Sequence, residues 1–524
     1  MQQPLRNFFQ HIETFFDGPF DGALNPMRQL GSLAFFLYWI VAGSGIYIYI
    51  FFDTSVSGAY ESVEWMTNQW YLAGIMRSLH RYASDAMVVV AMVHLLREFS
   101  YGRYVGARWF AWFTGVPIIW FLFFSGVSGY WLVWDMLAQY VAIGSMEWLD
   151  WLGIFGKQVA NNFLSPITIT DRFFTLLVFI HIFVPLFLLF IMWFHVMRLK
   201  SPRINPPKML MISVSLALVV LSLVYPATSH EKADLSAVAL NLDFDWFYLI
   251  AYPLFDAIGP GPMWAVGIGV TILVSLVPLL NRTKREPAAF VSLEKCNGCS
   301  RCASDCPYDA IEMKPRTDGL KFDIEAVVDA NACVACGICV GACPVSTPFR
   351  HDEQLVTGID LPEPSLKSLR DSAVDTMNKT RAKAGQQNAI MVFGCKNGVN
   401  LEKLNAEAKA NNIHMGILQV PCSGMLPPSF IDFAISRGSM DGVVVMGCSE
   451  NGCYHRFGQF WTEDRINQLR DPNLRTRVPR ERLATIWANP TNLTKALNQV
   501  SDFNKKLSSL PAQQEPSTAS GGDK

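Results

Sequence analysis

Long apolar stretches separated by short polar loops fill the first 281 residues, whereas polar positions dominate the remainder of the chain. Several stretches approach the ~20 residues that span a bilayer. The acidic and aromatic N-terminal segment lacks the basic region of a cleavable signal, so we expect an amphipathic helix at the membrane interface there. Six spans are predicted, at residues 31–51, 84–97 with its preceding turns, 109–134, 173–197, 209–226 and 262–280.

The composition divides the chain into a membrane part and soluble parts. Residues 1–285 are predicted to form an all-α transmembrane bundle. Residues 286–350 are rich in cysteine, and residues 351–387 form a predicted linker rich in proline and charge. Short apolar runs alternate with helical patterns over 388–500, which predicts an α/β domain with a parallel sheet. The tail, residues 501–524, has the Pro, Ser and Gly content of a disordered segment. The predicted fold class is therefore multidomain.

The charges of the loops predict the orientation in the membrane. The 524-residue chain has a formal net charge of −1, which gives no reason to expect nucleic acid as a partner. Lys and Arg concentrate between spans two and three, between spans four and five, and after span six, whereas the opposite loops are acidic. Positive loops face the cytoplasm, so both termini and the cysteine-rich parts are predicted to be cytoplasmic, at the inner membrane of a bacterium or archaeon. In that reducing compartment the twelve cysteines are expected to be metal ligands instead of disulfides.

Two pairs of histidines lie within the predicted spans. His80 and His94 are fourteen residues apart, and so are His181 and His195. At 100° and ~1.5 Å per residue, this spacing returns to nearly the same helix face about 21 Å farther along. Two such helices packed side by side would hold two stacked haems, each between two histidines. The pattern therefore predicts two b-type haems.

Two pairs of glycines repeat the same interval. They are Gly31 with Gly45 in the first span and Gly115 with Gly129 in the third. A residue without a side chain lets a flat macrocycle approach the backbone. The alternative is that these histidines and glycines only pack helices together. Two histidine pairs and two glycine pairs, all with the same fourteen-residue spacing, favour haem binding.

The membrane part resembles, over residues 31–280, the cytochrome b of the Rieske/cytochrome b quinol-oxidising complexes, truncated to about six helices. The segments that carry this resemblance are MRSLHRYASDAMVVVAMVHLLREFSYGRY, SGVSGYWLVWDM, DRFFTLLVFIHIFVP and FDWFYLIAY. The resemblance implies that His80 and His181 bind the outer haem, and that His94 and His195 bind the inner haem. It also implies that Arg77 and Arg97 pair with haem propionates, as guanidinium groups bind carboxylates well.

The same resemblance points to a quinone site on the outer face. The Pro-Glu pair of the family's outer quinone element is Phe244-Asp245 here, so a carboxylate that could take a proton from a quinol is kept. Tyr130 is a second candidate for this site. The alternatives are a solvated loop acid at Asp245 and an interfacial anchor at Tyr130.

Two cysteine runs of the form C-x2-C-x2-C-x3-C-P follow the membrane part. In bacterial dicluster ferredoxins, which these runs resemble, each run gives three cysteines to one cubane and its fourth to the other. A zinc site is the alternative, but zinc motifs pair C-x2-C units across long gaps. An α+β ferredoxin domain with two [4Fe–4S] clusters is therefore predicted. The first cluster is assigned Cys296, Cys299, Cys302 and Cys343, and the second Cys333, Cys336, Cys339 and Cys306.

A third cysteine group lies in the predicted α/β domain. Three apolar runs end at or next to Cys395, Cys422 and Cys448, and Cys453 follows five residues after the third. Ligands gather at the carboxyl ends of parallel strands, so the four thiols are expected at one place. They could hold zinc or an iron–sulfur cluster, or form a redox-active dithiol.

The segments VPCSGMLPP and VMGCSENGCYHRFG resemble, over residues 390–465, the delta subunit of methyl-viologen-reducing hydrogenase. That resemblance implies a [2Fe–2S] cluster on the four cysteines. It also implies docking on a heterodisulfide-reductase A-like flavoprotein. His455 is predicted to be a surface residue.

The combined pattern predicts a membrane-bound electron-transfer subunit of a quinone oxidoreductase. Electrons would pass between a cytoplasmic flavoprotein or dehydrogenase, the [2Fe–2S] cluster, the two [4Fe–4S] clusters, the two haems and the quinone pool. No nucleotide-binding fingerprint is present, so the soluble substrate site is expected in a partner. The resemblance to cytochrome b makes a homodimer an expectation. The main alternative is a membrane anchor without its own quinone site, serving a hydrogenase, formate dehydrogenase or thiol–disulfide enzyme. A redox sensor is a weaker alternative, because three clusters in series imply throughput.

Overall fold

The computed structural model describes residues 2–154, 164–197, 199–238, 242–246, 248–280, 286–349, 357–437, 440–449 and 452–511. The membrane part is helical, and the two parts that follow combine helices with sheets. The helices of the membrane part are α1 (Gln2–Leu24), α2 (Leu30–Phe51), α3 (Gly58–Thr67), α4 (Leu72–Ser100), α5 (Trp109–Val133), α6 (Met136–Asp150), α7 (Asp171–Val196), α8 (Lys208–Val224), α9 (Ala251–Ile258) and α10 (Pro260–Leu280).

Four of the six predicted spans have the length and composition of a membrane helix in the described part of the chain. They are α2, α5, α7 and α10. The second predicted span falls in α4, a 29-residue helix interrupted by charged side chains. The fifth falls in α8, which is apolar but has only 17 residues. The expected N-terminal helix is present as α1.

The core of the membrane part is built from two helix pairs. Helix α2 packs along α4, and α5 packs along α7. Their contact faces bury Leu37, Ala83, Phe174 and Leu188. The hydroxyl of Tyr38 on α2 donates to the carbonyl of Pro185 on α7 at 2.9 Å, which ties the two pairs together. Both histidine-bearing helices, α4 and α7, therefore belong to one bundle.

The cysteine-rich part contains two small antiparallel sheets and two single-turn helices. Strand β1 (Phe290–Val291) pairs with β4 (Ile359–Asp360), and β2 (Ile311–Pro315) pairs with β3 (Ile324–Val328). Helices α11 (Arg301–Asp305) and α12 (Ile338–Ala342) each lie inside one cysteine run. The residue before α12 is Gly337, with φ +75°, a left-handed conformation that glycine adopts without strain.

The C-terminal part is a four-stranded parallel sheet with the order β6-β5-β7-β8. Its strands are β5 (Ala389–Cys395), β6 (His414–Val420), β7 (Gly442–Gly447) and β8 (Leu483–Trp487). Its helices are α13 (Leu366–Ala384), α14 (Leu401–Ala410), α15 (Pro428–Ser436), α16 (Gly458–Ile466) and α17 (Leu493–Ser508). The first three strands coincide with the predicted apolar runs.

Two predicted boundaries change in this region. The stretch 351–387 contains β4 and the 19-residue helix α13, which packs on β5 and β6, so 357–384 is part of the folded structure instead of a linker. Helix α13 buries Leu369, Ala373 and Met377. The charges between these apolar positions obscure them in the sequence. The predicted disordered tail begins inside α17, and residues 512–524 lie outside the described residues.

The soluble parts rest on the end of the bundle that carries the basic loops. The guanidinium of Arg108, just before α5, donates to the hydroxyl of Tyr308 at 2.8 Å. Arg456 of the C-terminal part donates to the carbonyl of Lys200 at 2.8 Å, in the loop after α7. All three cysteine groups are thus attached to one face of the membrane part.

Candidate functional site

The first histidines of the two pairs face each other across the bundle. The ring centroids of His80 on α4 and His181 on α7 are 6.3 Å apart. Imidazole nitrogens that bind a metal at about 2.0 Å from opposite sides place their ring centroids roughly 6 Å apart. The pair therefore fits the axial ligands of one haem. The rings of His94 and His195, the second pair, lie against Gly31 of α2 and Gly115 of α5.

Hydroxyl and carbonyl groups orient three of the four imidazoles. The Nδ1 atom of His80 lies 3.0 Å from the carbonyl of Val41 and 3.3 Å from the hydroxyl of Ser44. The Nδ1 atom of His181 lies 3.0 Å from the hydroxyl of Ser128. The hydrogen bond at one ring nitrogen fixes which nitrogen is left for a metal. The Nε2 atoms of these rings are accordingly the ones available to iron.

Thr114 plays the same part for His195, with 3.2 Å between its hydroxyl and Nδ1. Sequence reasoning did not identify these three hydroxyl residues. Each one stands directly before a glycine of the fourteen-residue pattern: Ser44 before Gly45, Thr114 before Gly115 and Ser128 before Gly129. This hydroxyl–glycine dipeptide was the available signal, and Leu30 before Gly31 breaks it.

Each of the four patterned glycines lies against one of the four histidine rings. A Cβ atom at Gly45 would lie 2.9 Å from Cε1 of His80, and one at Gly129 would lie 3.1 Å from Cε1 of His181. The corresponding distances are 3.3 Å between Gly115 and His195, and 3.4 Å between Gly31 and His94. The glycines therefore clear space for the imidazoles, one glycine per ring.

The two arginines expected at haem propionates are buried and paired with protein carboxylates. Arg97 donates from Nε to Glu13 of α1 at 2.8 Å. Arg77 donates to the hydroxyl of Ser229 at 2.7 Å and lies 3.7 Å from Glu64. Their pairing with propionates stays a prediction, and it requires each guanidinium to share its donors with these groups.

The two quinone-site candidates contact each other at the opposite end of the bundle from the cysteines. The hydroxyl of Tyr130 donates to Oδ2 of Asp245 at 2.9 Å. The same oxygen accepts from Arg81 at 2.6 Å, and Arg81 also pairs with Asp85 one turn farther along α4. The Asp245 side chain is only 7% exposed. A solvated loop acid does not describe it, and sequence reasoning missed its two charged neighbours.

The two ferredoxin-type cysteine groups assemble as two separate sets. A Cβ atom at Gly358 would lie 3.2 Å from the sulfur of Cys343 and 3.1 Å from the carbonyl of Lys295, the residue before Cys296, so the last cysteine of the second run lies beside the first run. One cavity is lined by the second set together with mainly apolar side chains, and the cysteines in its wall are Cys306, Cys333, Cys336 and Cys339. The fourth cysteine of each run thus lies with the other run.

Burial makes these thiols poor acids without a metal. It raises the pKa of Cys302 to about 12 and also raises the pKa of Cys306 and Cys343. Cysteine binds iron as a thiolate, so binding would release the protons that burial otherwise retains. These buried cysteines are therefore neutral thiols around pH 7 until metal binds.

The third cysteine group lies at the carboxyl edge of the parallel sheet, as the strand ends predict. Cys395, Cys448 and Cys453 pack together in one buried cluster. A Cβ atom at Gly458 would collide with the sulfur of Cys422 and would lie 3.5 Å from the sulfur of Cys453, so Cys422 belongs to the same group and this glycine leaves room for it. All four side chains are buried.

His455 is buried, which corrects its prediction as a surface residue. It is 5% exposed, and its Nδ1 lies 3.1 Å from the hydroxyl of Tyr308. Because Arg108 donates to that hydroxyl, the Tyr308 proton is free to point at Nδ1. Burial lowers the pKa of His455 to about 4, so its ring is neutral. The contact joins the membrane, ferredoxin and C-terminal parts at one point.

Thiolate and imidazole side chains can bind iron–sulfur clusters and haem as well as zinc. Within the described ranges, no three or more His, Cys, Asp or Glu side chains are arranged around one metal-ion position. A zinc ion would draw four thiolates to about 2.3 Å. Iron–sulfur cores and haem are larger and take thiolates and imidazoles at greater separation.

Three stretches of the chain match family models. Residues 15–202 match cytochrome b/b6/petB, residues 295–347 match the 4Fe-4S dicluster domain, and residues 390–511 match the delta subunit of methyl-viologen-reducing hydrogenase. The three kinds of domain expected from the sequence are therefore confirmed. Together these matches describe an integral membrane redox protein.

Curated relatives match the membrane part. The menaquinol:cytochrome c reductase cytochrome b subunit of Bacillus subtilis (strain 168) is 28% identical over 183 residues, which are 34% of this chain and 80% of the relative. Cytochrome b6 of Prochlorothrix hollandica is 26% identical over 189 residues, which are 35% of this chain and 83% of the relative. A solved chain of a hyperthermophilic respiratory Complex III has 16% identity and a TM-score of 0.41, with 52% of this chain and 81% of that chain covered.

Proposed function

We propose that this protein is a membrane-bound electron-transfer subunit of a quinone oxidoreductase complex. The observation that carries the proposal is the 6.3 Å separation of the His80 and His181 rings in a chain that also gathers twelve cysteines into three sets on one face of the bundle. The relative from Bacillus subtilis is a menaquinol-oxidising cytochrome b subunit, which supports quinone as the membrane substrate.

Five redox centres are proposed. The outer haem is held by His80 and His181, and the inner haem by His94 and His195. Two [4Fe–4S] clusters occupy the two ferredoxin-type sets. One [2Fe–2S] cluster occupies the third set, which consists of Cys395, Cys422, Cys448 and Cys453. These groups supply one-electron chemistry, and the chain positions them and tunes their potentials.

Quinone chemistry is proposed at the outer face, beside Tyr130 and Asp245. The Asp245 carboxylate would accept a proton from a quinol, or give one to a reduced quinone. Arg81, which donates to the same carboxylate oxygen at 2.6 Å, would hold the Asp245 side chain in its orientation towards Tyr130.

The cysteine sets and the basic loops share one side of the membrane, which we assign to the cytoplasm. Electron flow between this side and the outer face would move charge across the membrane, at about 2.3 kcal/mol per charge per 100 mV. Electrons would enter from a soluble dehydrogenase or a heterodisulfide-reductase A-like flavoprotein, or leave to such a protein when quinol is the donor. A homodimer within a larger complex is proposed from the resemblance to cytochrome b.

Replacement of Asp245 tests the quinone site. Asp245→Asn keeps the shape but removes the proton acceptor, so quinone-linked turnover is expected to fall by about 10²–10⁴-fold, the usual contribution of a general base. Haem content from the absorbance spectrum should be unchanged. Asp243→Asn, an exposed neighbour, is the matched control. Normal turnover of Asp245→Asn would count against the site.

A second function is favoured by one observation: Asp245 is already held by Arg81 and Tyr130. In this alternative the pair is structural, and the chain is a haem and iron–sulfur anchor whose partners carry the catalysis. The purified chain separates the two. Inhibitor-sensitive electron exchange with a quinol analogue requires a quinone site in this chain, and its absence would favour the anchor.

A further inference from the structure

We propose that the soluble redox partner docks on the ferredoxin part, at a face formed by Cys299, Leu320, Phe322 and Ile324, and not on the C-terminal part. We call these four residues the docking face. The inference rests on the proposed function only in that the clusters exchange electrons with a soluble protein.

Exposure of the cluster ligands singles out this face. All twelve cysteines lie in the described part of the chain, and Cys299 is the only exposed one among them. It belongs to the set of Cys296, Cys302 and Cys343. A cluster with a ligand at the surface offers a soluble electron carrier its closest approach.

An exposed apolar rim borders Cys299. Leu320, Phe322 and Ile324, at the turn between β2 and β3, are 50%, 44% and 36% exposed. A Cβ atom at Gly298 would lie 2.6 Å from the carbonyl of Ile324, so this rim touches the loop that carries Cys299. Exposed apolar groups gathered at one place mark interaction sites.

The same loop is held rigidly beneath the rim. Arg316 donates to the carbonyl of Cys296 at 2.7 Å, and its guanidinium lies 6.0 Å from the centre of the Phe322 ring. The cluster loop, the arginine and the aromatic ring therefore form one layer. A preformed surface of this kind binds without the cost of ordering a loop.

The C-terminal cysteines are covered by this chain's own elements. Tyr454, next to Cys453, lies under the guanidinium groups of Arg103 and Arg108, at 5.6 and 5.0 Å from its ring centre. On the Cys422 side, Met425 packs closely against Gly337. A Cβ atom at Gly337 would lie 2.5 Å from the sulfur of Met425. The third cluster site therefore faces the membrane part and the second ferredoxin set, which makes it an internal relay.

The charges around the docking face are of mixed sign. Asp318 pairs with Arg316, and Lys321 and Asp323 flank Phe322. A face without a dominant charge gives little electrostatic steering. The occupant that fits is a soluble flavoprotein with an apolar contact surface, and its reaction rate should depend weakly on salt.

The test follows cluster reduction by stopped-flow absorbance in the holoprotein, with flavodoxin hydroquinone as the probe. The variant is Leu320→Ser/Phe322→Ser, and the control is Leu469→Ser, a 78% exposed leucine of the C-terminal part. Truncating interface anchors typically costs more than a tenfold loss of affinity. We therefore expect the clusters of the double variant to be reduced at least tenfold more slowly than those of the wild type. The control variant should be reduced at the wild-type rate. Dithionite should reduce all three proteins equally.

Three results would overturn the proposal. The first is that flavodoxin hydroquinone reduces the clusters of the double variant as fast as those of the wild type. The second is that dithionite reduces the wild-type clusters but flavodoxin hydroquinone does not. The third is a change of oligomeric mass in the double variant by light scattering, which would make the face a contact between copies. None of these measurements involves quinone, so failure of the proposed quinone chemistry would be seen separately, as loss of quinol exchange with the docking result intact.

Discussion

The positions of the four histidine rings depend on glycines and on small residues with a hydroxyl group. A glycine provides the space beside each imidazole ring. The hydroxyls of Ser44, Thr114 and Ser128 form hydrogen bonds that orient three of the four rings. A ligand histidine held at its second nitrogen keeps one tautomer and one orientation. The proposed haem sites therefore depend on α2 and α5 as much as on α4 and α7, which carry the histidines.

Gly45 offers the sharpest test at this scale. In Gly45→Ala the new methyl would lie 2.9 Å from the His80 ring, and a shift of the ring would break its 3.0 Å contact with the Val41 carbonyl. Overpacking of this kind costs about 1–3 kcal/mol, so outer haem content should fall while inner haem content is kept. The measurement is a redox titration of the haem absorbance bands.

Gly43→Ala is the matched control, since nothing lies within 4 Å of a Cβ atom at Gly43 on the same helix. Both haems should be retained in that variant. Equal haem loss in the two variants would show that α2 needs flexibility at these positions and not space beside the ring.

The gathering of the histidines and cysteines could be predicted from the sequence, and the residues that contact them largely could not. Histidine and cysteine spacing follows helix geometry and cluster geometry, which are local. The contacts of Arg81 with Asp245 and of Tyr308 with His455 join residues more than a hundred positions apart. No local pattern encodes such pairs, which is why the prediction of His455 as a surface residue is wrong.

At the scale of elements, helix α16 fastens the ferredoxin part to the C-terminal part. Arg465 on α16 pairs with Asp305, which lies between Cys302 and Cys306, and donates to the carbonyl of Gly424 at 2.8 Å, two residues after Cys422. Both side chains of the ion pair are almost fully buried. One arginine thus fixes two cysteine loops relative to each other.

Arg465→Met is expected to destabilise this junction. Removing one partner of a buried ion pair costs about 3–5 kcal/mol, because the other charge is left buried. Arg470 also contacts Asp305 and would still compensate its charge, so the loss of stability should lie near the lower end of this range. The loss of iron–sulfur absorbance on heating should shift to clearly lower temperature.

The control for this prediction is Arg301→Met, which breaks the exposed pair of Arg301 with Asp471. Exposed pairs contribute about 0–1 kcal/mol, so its melting temperature should barely change. Equal shifts in Arg301→Met and Arg465→Met would contradict the account of Arg465 as a clamp.

Elements are predictable where their pattern is strong and not where charge breaks it. The three strands that end at or just before cysteines are largely apolar runs, and the structure places them as predicted. Helix α13 has the sequence pattern of a linker because its buried stripe is narrow among Lys, Arg and Asp. Helix α4 carries His80 and His94 but does not have the composition of a membrane span, because it also carries Arg77, Arg81 and Asp85.

At the scale of the whole molecule, the proposed redox centres would form a chain between two surfaces. One end is the Tyr130–Asp245 contact, and the other end, which we assign to the cytoplasm, is the docking face. Between them the junction of Arg108, Tyr308 and His455 joins all three parts. The arrangement suits transfer in either direction, so the relative potentials decide it.

An EPR-monitored redox titration of the intact protein gives those potentials. Buried thiolate-ligated clusters in bacterial ferredoxins are low-potential centres, so we expect all three clusters to titrate below both haems, with electrons running downhill to quinone. Clusters level with or above the haems would reverse the direction. Absence of a [2Fe–2S] signal would contradict the assignment of the last four cysteines.

We propose that electrons pass between the clusters and quinone through the haems of this one chain. The clusters of the purified protein can be reduced, the protein mixed with a menaquinone analogue, and the cluster EPR signals followed by freeze-quench. We expect prompt cluster reoxidation in the wild type, whereas the clusters should stay reduced in His80→Ala, which lacks the outer haem. Equally fast reoxidation in His80→Ala, or none in the wild type, would contradict it.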